Sequence, residues 1–212
     1  INFLAIGTGT APHDVQSVDE AREKLVEEEE TFRAQGEWLT SNDGFVRSPG
    51  SEAEVIAEFA DYVASGLLAG YTIYGAPMKG QLDGTFDYHL DVSAEFTYEA
   101  TDRPLGVNFR EGAPLNFESQ WLEYKVSSDL LINDFNKPVG EGGKKYFTTI
   151  NLLVCGSVDD ATDDYSVIKI TEETSASRRY FGVTHVMTSS KNHEHSIQVI
   201  ELKALRAVLS PQ

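Results

Sequence analysis

Cysteine is almost missing from this chain. The single thiol, Cys155, closes the apolar run Ile150-Asn151-Leu152-Leu153-Val154-Cys155 and reads as a core residue rather than a nucleophile. One cysteine excludes both a disulfide framework and a cysteine-rich zinc site. Long hydrophobic runs are missing too. None approaches the roughly 20 residues that span a bilayer, so no membrane association is expected. The opening INFLAIGTGT lacks a basic n-region and is not expected to be a signal peptide. A cytoplasmic setting is therefore the expectation. The chain opens on Ile1 rather than methionine, as a piece trimmed or cut from a longer protein would. Basic residues are scarce: 17 Lys and Arg against 34 Asp and Glu leave a formal charge of −17. Broad, nonspecific nucleic-acid binding needs basic surface, and this balance argues against it. Phosphate loops are absent as motifs, since neither Gly7-Thr8-Gly9-Thr10 nor the glycine loop at 140–145 has the required spacing. The acidic turn at 159–164 lacks the glycine and terminal glutamate of an EF-hand loop.

What remains is an apolar content of 41% over 212 residues, enough for one domain with an appendage. We expect residues 1–45 to form a strand–helix appendage or the tail of a preceding domain, and residues 46–212 to form the main domain. The first segment holds an apolar run at 2–6, a capping box at Ser17-Val18-Asp19-Glu20 and four consecutive acids, Glu27 to Glu30. In the second, a helix is predicted at 51–68, with Ala53, Ile56, Phe59, Val63 and Leu67 at helical spacing. Strands are predicted at 71–75, 82–98, 119–126, 146–155, 165–170, 180–187 and 197–202. Helices are predicted at 128–136 and 204–209, and a polar turn at 189–195. The fold class is α/β (α+β): a mixed central sheet flanked by helices, with a β-rich C-terminal extension.

Charge is unevenly spread. Residues 1–110 hold 7 Lys and Arg against 20 acids; residues 111–212 hold 10 against 14. Lys137, Lys144, Lys145, Arg178, Arg179 and Lys191 all follow residue 123, so a local basic patch is expected inside an acidic protein. The clearest period-2 pattern is 82–98. Leu82, Phe86, Tyr88, Leu90 and Val92 alternate with a polar face carrying Asp83, Asp87, Asp91 and Glu95 at every fourth residue. Such a row repels itself unless it meets cations, a metal or water. The stretch Trp121-Leu122-Glu123-Tyr124-Lys125-Val126 follows. On a strand, Glu123 and Lys125 share one face and Leu122, Tyr124 and Val126 the other. Ser127-Ser128-Asp129 then caps a short helix.

Glu123-x-Lys125 on a strand, within an order helix–strand–strand–strand–helix–strand over residues 51–155, resembles the PD-(D/E)XK nuclease superfamily. That resemblance implies a metal-dependent nucleic-acid phosphodiesterase, with Glu123 and an upstream acid holding Mg²⁺ (or Mn²⁺) and Lys125 orienting or activating the attacking water. The upstream acid, a metal ligand and part of the catalytic set, is expected to be Asp87, or else Asp83 or Asp91. A first-helix glutamate, Glu52 or Glu58, could join. No Pro-Asp pair marks the upstream acid. Oxygen ligands suit Mg²⁺, and a divalent ion can activate water and stabilise a phosphoryl oxyanion. Such domains often act beside a partner that supplies nucleic-acid binding. The expected partners are therefore nucleic acid, through the local basic patch, and a second protein or a homo-oligomer, as in a defence complex.

Three other readings compete with this one. An acidic, non-enzymatic assembly subunit would use its 11 Phe, 9 Tyr and 2 Trp at a protein interface. A histidine metal site would need His185, His193 and His195 to converge. A second Glu-x-Lys, Glu201-Leu202-Lys203, has too little chain behind it for a helix and strand to follow.

Overall fold

The computed structural model describes residues 49–74, 82–139, 141, 143–159, 162 and 164–209. The expected strand at 2–6, the helix opened by Ser17, the four-acid run at 27–30 and the turn at 75–80 lie outside the described residues. So do parts of the glycine loop and of the acidic turn.

The main domain is α/β. Its elements in chain order are α1 (Glu52–Ala64), β1 (Tyr71–Tyr74), β2 (Gly84–Asp91), β3 (Pro114–Ser127), α2 (Ser128–Asn136), β4 (Leu152–Ser157), β5 (Tyr165–Lys169), β6 (His185–Ser189), β7 (Asn192–Glu201) and α3 (Leu202–Leu209). The seven strands form one open, mixed sheet in the order β1-β2-β3-β4-β7-β6-β5. The two central pairings, β3 with β4 and β4 with β7, are parallel, and the outer ones are antiparallel. A parallel neighbour requires a crossover, and α2 provides it between β3 and β4.

Alternation along the central strands divides the core in two. Leu122, Tyr124, Leu152, Val154 and Ile200 pack on Val55 and Phe59 of α1 and Leu202 and Leu205 of α3. Leu153, Cys155, Ile197 and Val199 face the other way, against Leu131, Ile132 and Phe135 of α2. Cys155 is fully buried, and burial pushes its thiol pKa well up, as befits a core residue.

Helix α1 starts where its capping box says it should. The Ser51 hydroxyl accepts from Glu54 N–H at 3.3 Å, and the Glu54 carboxylate accepts from Ser51 N–H at 3.1 Å. Its buried face differs from the expected one. Val55, Glu58, Phe59 and Tyr62 point inward, while Ile56 and Leu67 are exposed. The face turns because Glu58 has a partner: Arg206 of α3 reaches its two oxygens at 2.6 and 2.8 Å, and the Tyr62 hydroxyl donates to it at 3.1 Å. A buried carboxylate so satisfied can occupy a core position that an apolar pattern assigns elsewhere.

Several boundaries also move. The alternating segment does not run to residue 98: β2 ends at Asp91, and residues 94–96 turn. Strand β4 starts at Leu152 rather than at 146, because Phe147–Thr149 forms a 3-10 turn that lays Phe147 against Phe135 and Tyr165. Residues 180–184 are not strand, while 192–195, expected as turn, open β7.

Candidate active site

The site lies where β2 stops and β3 continues. In the register of the pair, Gly84 sits opposite Leu122, which places Asp83 opposite Glu123. Past that point β3 keeps β4 on one side and has lost β2 on the other. The Tyr124 N–H on the open side needs an acceptor, and the Asp83 carboxylate takes it at 2.9 Å. Strand geometry then puts Glu123 and Lys125 on the face covered by α2, in line with Leu153 and Cys155 of β4.

Lys125 is held from three directions. Its ammonium lies 3.0 Å from Glu52 at the start of α1, 3.5 Å from Glu123 and 3.5 Å from Asp134 of α2. Burial alone would push its pKa down, but the hydrogen bond to Glu52 and the charges of Glu123, Glu52 and Asp83 outweigh it, and the net shift is upward. Lys125 is therefore a fixed cation at neutral pH, suited to holding a water or an anionic oxygen rather than to accepting a proton.

The Glu123 side chain is 0% exposed. Neither carboxylate oxygen makes a hydrogen bond within the described residues. Lys145 makes a close ionic contact at 2.6 Å from Oε1, without hydrogen-bond alignment. Burial, reinforced by the Asp83 charge and opposed by the Lys145 and Lys125 ammoniums, raises the Glu123 pKa from 4.5 to about 7. A buried carboxylate is costly unless a cation compensates it. Lys145 and Lys125 do so from the side of Oε1, and Oε2, an oxygen donor without a hydrogen bond among the described residues, is the atom suited to a metal.

Of the three upstream acids, the structure brings Asp83 to Glu123, not Asp87 or Asp91. Asp87, the first expectation for both the catalytic and the metal role, accepts from Ser119 N–H and the Tyr74 hydroxyl, each at 2.7 Å. Ser119 is four residues from Glu123 along β3, about 13 Å at strand rise. Asp91 pairs with Pro114, farther still, and lies 3.9 Å from His89. The repulsive row is also broken, because Glu95 falls outside the strand and accepts from Ser93. Glu52 reaches the site through Lys125, whereas Glu58 belongs to the α1–α3 ion pair.

Sequence pattern alone does not place Asp134 and Lys145 in the site. Asp134 stands nine residues after Lys125 and Lys145 twenty, separations at which no local periodicity links them. The basic patch is narrower than expected. Lys137 pairs with Asp134 at 2.6 Å, Lys144 donates to the Phe135 carbonyl, and Lys145 meets Glu123. Arg178, by contrast, is buried and donates to the Val183 and Gly106 carbonyls, and Lys191 pairs with Asp164.

The histidines do not converge. His195 bonds the Ile150 carbonyl at 2.8 Å and meets Phe147 edge-on, while His185 is buried opposite Val199 and touches Thr184. The second Glu-x-Lys splits across an element boundary: Glu201 ends β7 and accepts from Val158 N–H, while Lys203 lies in α3.

Among the described residues, no group of three or more His, Cys, Asp and Glu side chains is arranged to hold a metal. Mg²⁺ does not need three, since it usually keeps several waters and takes one or two carboxylates plus substrate phosphate oxygens. Asp83 and Glu123 supply two carboxylates, so the donor set fits Mg²⁺ or Mn²⁺. No helix among the described residues is long and apolar enough to cross a membrane. Neither a family model, nor a curated protein, nor a solved structure matches the chain, so function must be read from the site itself.

Proposed function

We propose that this domain is a metal-dependent phosphodiesterase acting on nucleic acid, similar to the PD-(D/E)XK nucleases. The observation that carries the reading is the meeting of Asp83, Glu123 and Lys125 at the open end of β3, with Glu123 buried between the Lys125 and Lys145 ammoniums. The order α1-β1-β2-β3-α2-β4, with β3 parallel to β4, supports it.

Asp83 and Glu123 would hold Mg²⁺ or Mn²⁺, which supplies Lewis-acid stabilisation of charge on a phosphodiester. Asp83 is positioned by its bond to the Tyr124 N–H, and Glu123 by the packed face of β3. Lys125, kept protonated by Glu52, Glu123 and Asp83, donates to the attacking water or to a non-bridging phosphate oxygen. Glu52 and Asp134 orient that ammonium without touching substrate. With a net charge of −17, the chain would depend on a second protein or a second copy of itself to grip long nucleic acid, as in a defence complex.

The test is cleavage of plasmid, single-stranded DNA and RNA with Mg²⁺ or Mn²⁺, using wild type, Lys125→Ala and Asp83→Asn, each shown to be folded. The expected result is metal-dependent cleavage by wild type, a loss of about 10²- to 10⁴-fold for Lys125→Ala, and loss for Asp83→Asn. Absence of cleavage with both metals, on substrates that include short oligonucleotides needing no second grip, would refute the enzyme and favour the non-enzymatic assembly subunit. Equal cleavage by Lys125→Ala would sink the assignment of the lysine.

A further inference from the structure

Beside the carboxylates, a cleft of about 470 Å³ opens against the same face of β3. Trp121 and Tyr146 line it, with Lys145, Asn151, Thr148 and Ser119. Trp121 stands two residues before Glu123, so the two side chains share a face about 7 Å apart along the strand. Lys145 belongs to both places, lining the cleft and touching Glu123. We propose that this cleft is a nucleobase subsite, in which Trp121 and Tyr146 stack an unpaired base of a single-stranded DNA or RNA segment next to the scissile phosphate. For its substrate class the inference rests on the phosphodiesterase reading.

Four observations lead there. First, Trp121 and Tyr146 are each 44% exposed. Most large aromatic rings in the core pack against one another, as Tyr71, Phe86, Tyr88 and Tyr180 do. The Trp121 ring makes no ring–ring contact among the described residues, and the residue is part of the cleft wall. Second, the Trp121 backbone is pinned. Its N–H donates to Asn151 Oδ1 at 2.9 Å, and its carbonyl accepts from Asn151 N–H at 3.0 Å. A ring carried on a strand and clamped to its neighbour is pre-organised for binding.

Third, no acidic side chain among the described residues lines the cleft, in a chain with 34 Asp and Glu. The charged lining group is Lys145, and the Lys144 ammonium lies 5.9 Å from the centre of the Tyr146 ring. An ammonium beside an aromatic ring is the arrangement that receives a phosphate and the base it carries. Fourth, apart from Leu82, hydroxyls and an amide line the remainder, and these can meet the polar edge of a base. A base paired inside a duplex does not expose its π-face, so the cleft selects a single strand. The volume falls in the range of small-ligand pockets.

The experiment is fluorescence anisotropy of labelled 12-mers in EDTA, where no cleavage occurs. Oligo-dT, oligo-U and a blunt duplex are titrated with the 212-residue chain, wild type, Trp121→Ala, Trp121→Phe and Tyr146→Ala. The expected result is tighter binding of single strands than of duplex. Trp121→Ala should weaken single-strand binding about 5- to 150-fold, the range measured for loss of one base–aromatic stack, and Trp121→Phe should restore most of it. The oligo-dT and oligo-U arms tell DNA from RNA. If Trp121→Ala is misfolded by circular dichroism, Tyr146→Ala carries the test, with a weakening in the same direction. Single-strand binding unchanged in Trp121→Ala and Tyr146→Ala overturns the subsite, and leaves the phosphodiesterase standing if wild type still cleaves through Lys125. Trp121-dependent binding without cleavage under either metal supports the subsite and counts against the catalytic reading. No binding of any oligonucleotide by wild type overturns the subsite, and cleavage with Mg²⁺ or Mn²⁺ then decides the phosphodiesterase separately.

Discussion

Replacing Glu123 with glutamine tests whether its carboxylate is as desolvated as the geometry requires. The side chain is fully buried, and its pKa rises from 4.5 to about 7 in the folded protein. Between those two values the folded state holds a proton that the unfolded chain has released. Stability from this group is therefore fully present below pH 4.5 and is lost as pH rises through about 7. A tenfold change in proton affinity is worth about 1.36 kcal/mol, so the difference between folded and unfolded chain amounts to roughly 3 kcal/mol. Glutamine does not titrate. In urea denaturation with EDTA, wild type should therefore lose about 3 kcal/mol relative to Glu123→Gln between pH 4.5 and 8, or about 6–12 °C in Tm. Groups that titrate alike in both proteins cancel in the difference. Mg²⁺ should bind the ionised form, adding about 2.7 kcal/mol to wild type at pH 8 at a hundredfold excess over Kd, less at pH 5, and little to Glu123→Gln. Parallel pH profiles for the two proteins would refute the reasoning, because a hydrated Glu123 would have an ordinary pKa and no special need of a cation.

Asp83→Asn should abolish metal-dependent cleavage while Asp87→Asn leaves it within about twofold of wild type, a contrast read in one nuclease assay; the reverse result would move the metal to Asp87. Burial lowers the His185 pKa, partly opposed by Glu201 on β7 at 3.9 Å and assisted by Lys169 opposite it on β5. That contribution to stability is present above pH 6.5 and lost on acidification, so His185→Gln should flatten the fall in denaturation midpoint between pH 7.5 and 5. Arg206→Met breaks the buried contact with Glu58 and should cost about 3–5 kcal/mol in chemical denaturation, whereas loss under about 1 kcal/mol would mean that Glu58 finds water instead. Gly106→Ala would place a Cβ 2.6 Å from the Thr97 backbone, and a fall in stability of about 1–3 kcal/mol is expected from calorimetry.

Local pattern determined much of this protein. Alternation in 82–98 and 121–126 marked strands and their faces, because side chains on a strand alternate whatever it pairs with, although the first strand stops at Asp91. The helix beginning near residue 51 was legible from its apolar spacing, and the capping box found at Ser51 holds that start through hydrogen bonds that close within four residues. The start of α2 after Ser127 and the shared face of Glu123 and Lys125 were legible too, but the expected cap does not form: the Ser127 hydroxyl donates to the Asp129 carboxylate rather than accepting from the first turn. Tertiary structure decided what depends on register and on distant partners. Nothing within the repeat of Asp83, Asp87 and Asp91 distinguishes its members. Only the pairing of Gly84 with Leu122, and the end of β2 at that point, puts Asp83 against Glu123 and leaves Asp87 about four residues away along β3. Glu58 lies off the apolar stripe of its helix in sequence, and Arg206, 148 residues later, is what holds it in the core. Asp134 and Lys145 joined the site, and Tyr146 came to line one cleft with Trp121, because α2 and residues 143–151 return along one face of β3. A sequence encodes which face a residue occupies through its nearest neighbours. Which charges share that face across strands is fixed by the pairing of the whole sheet.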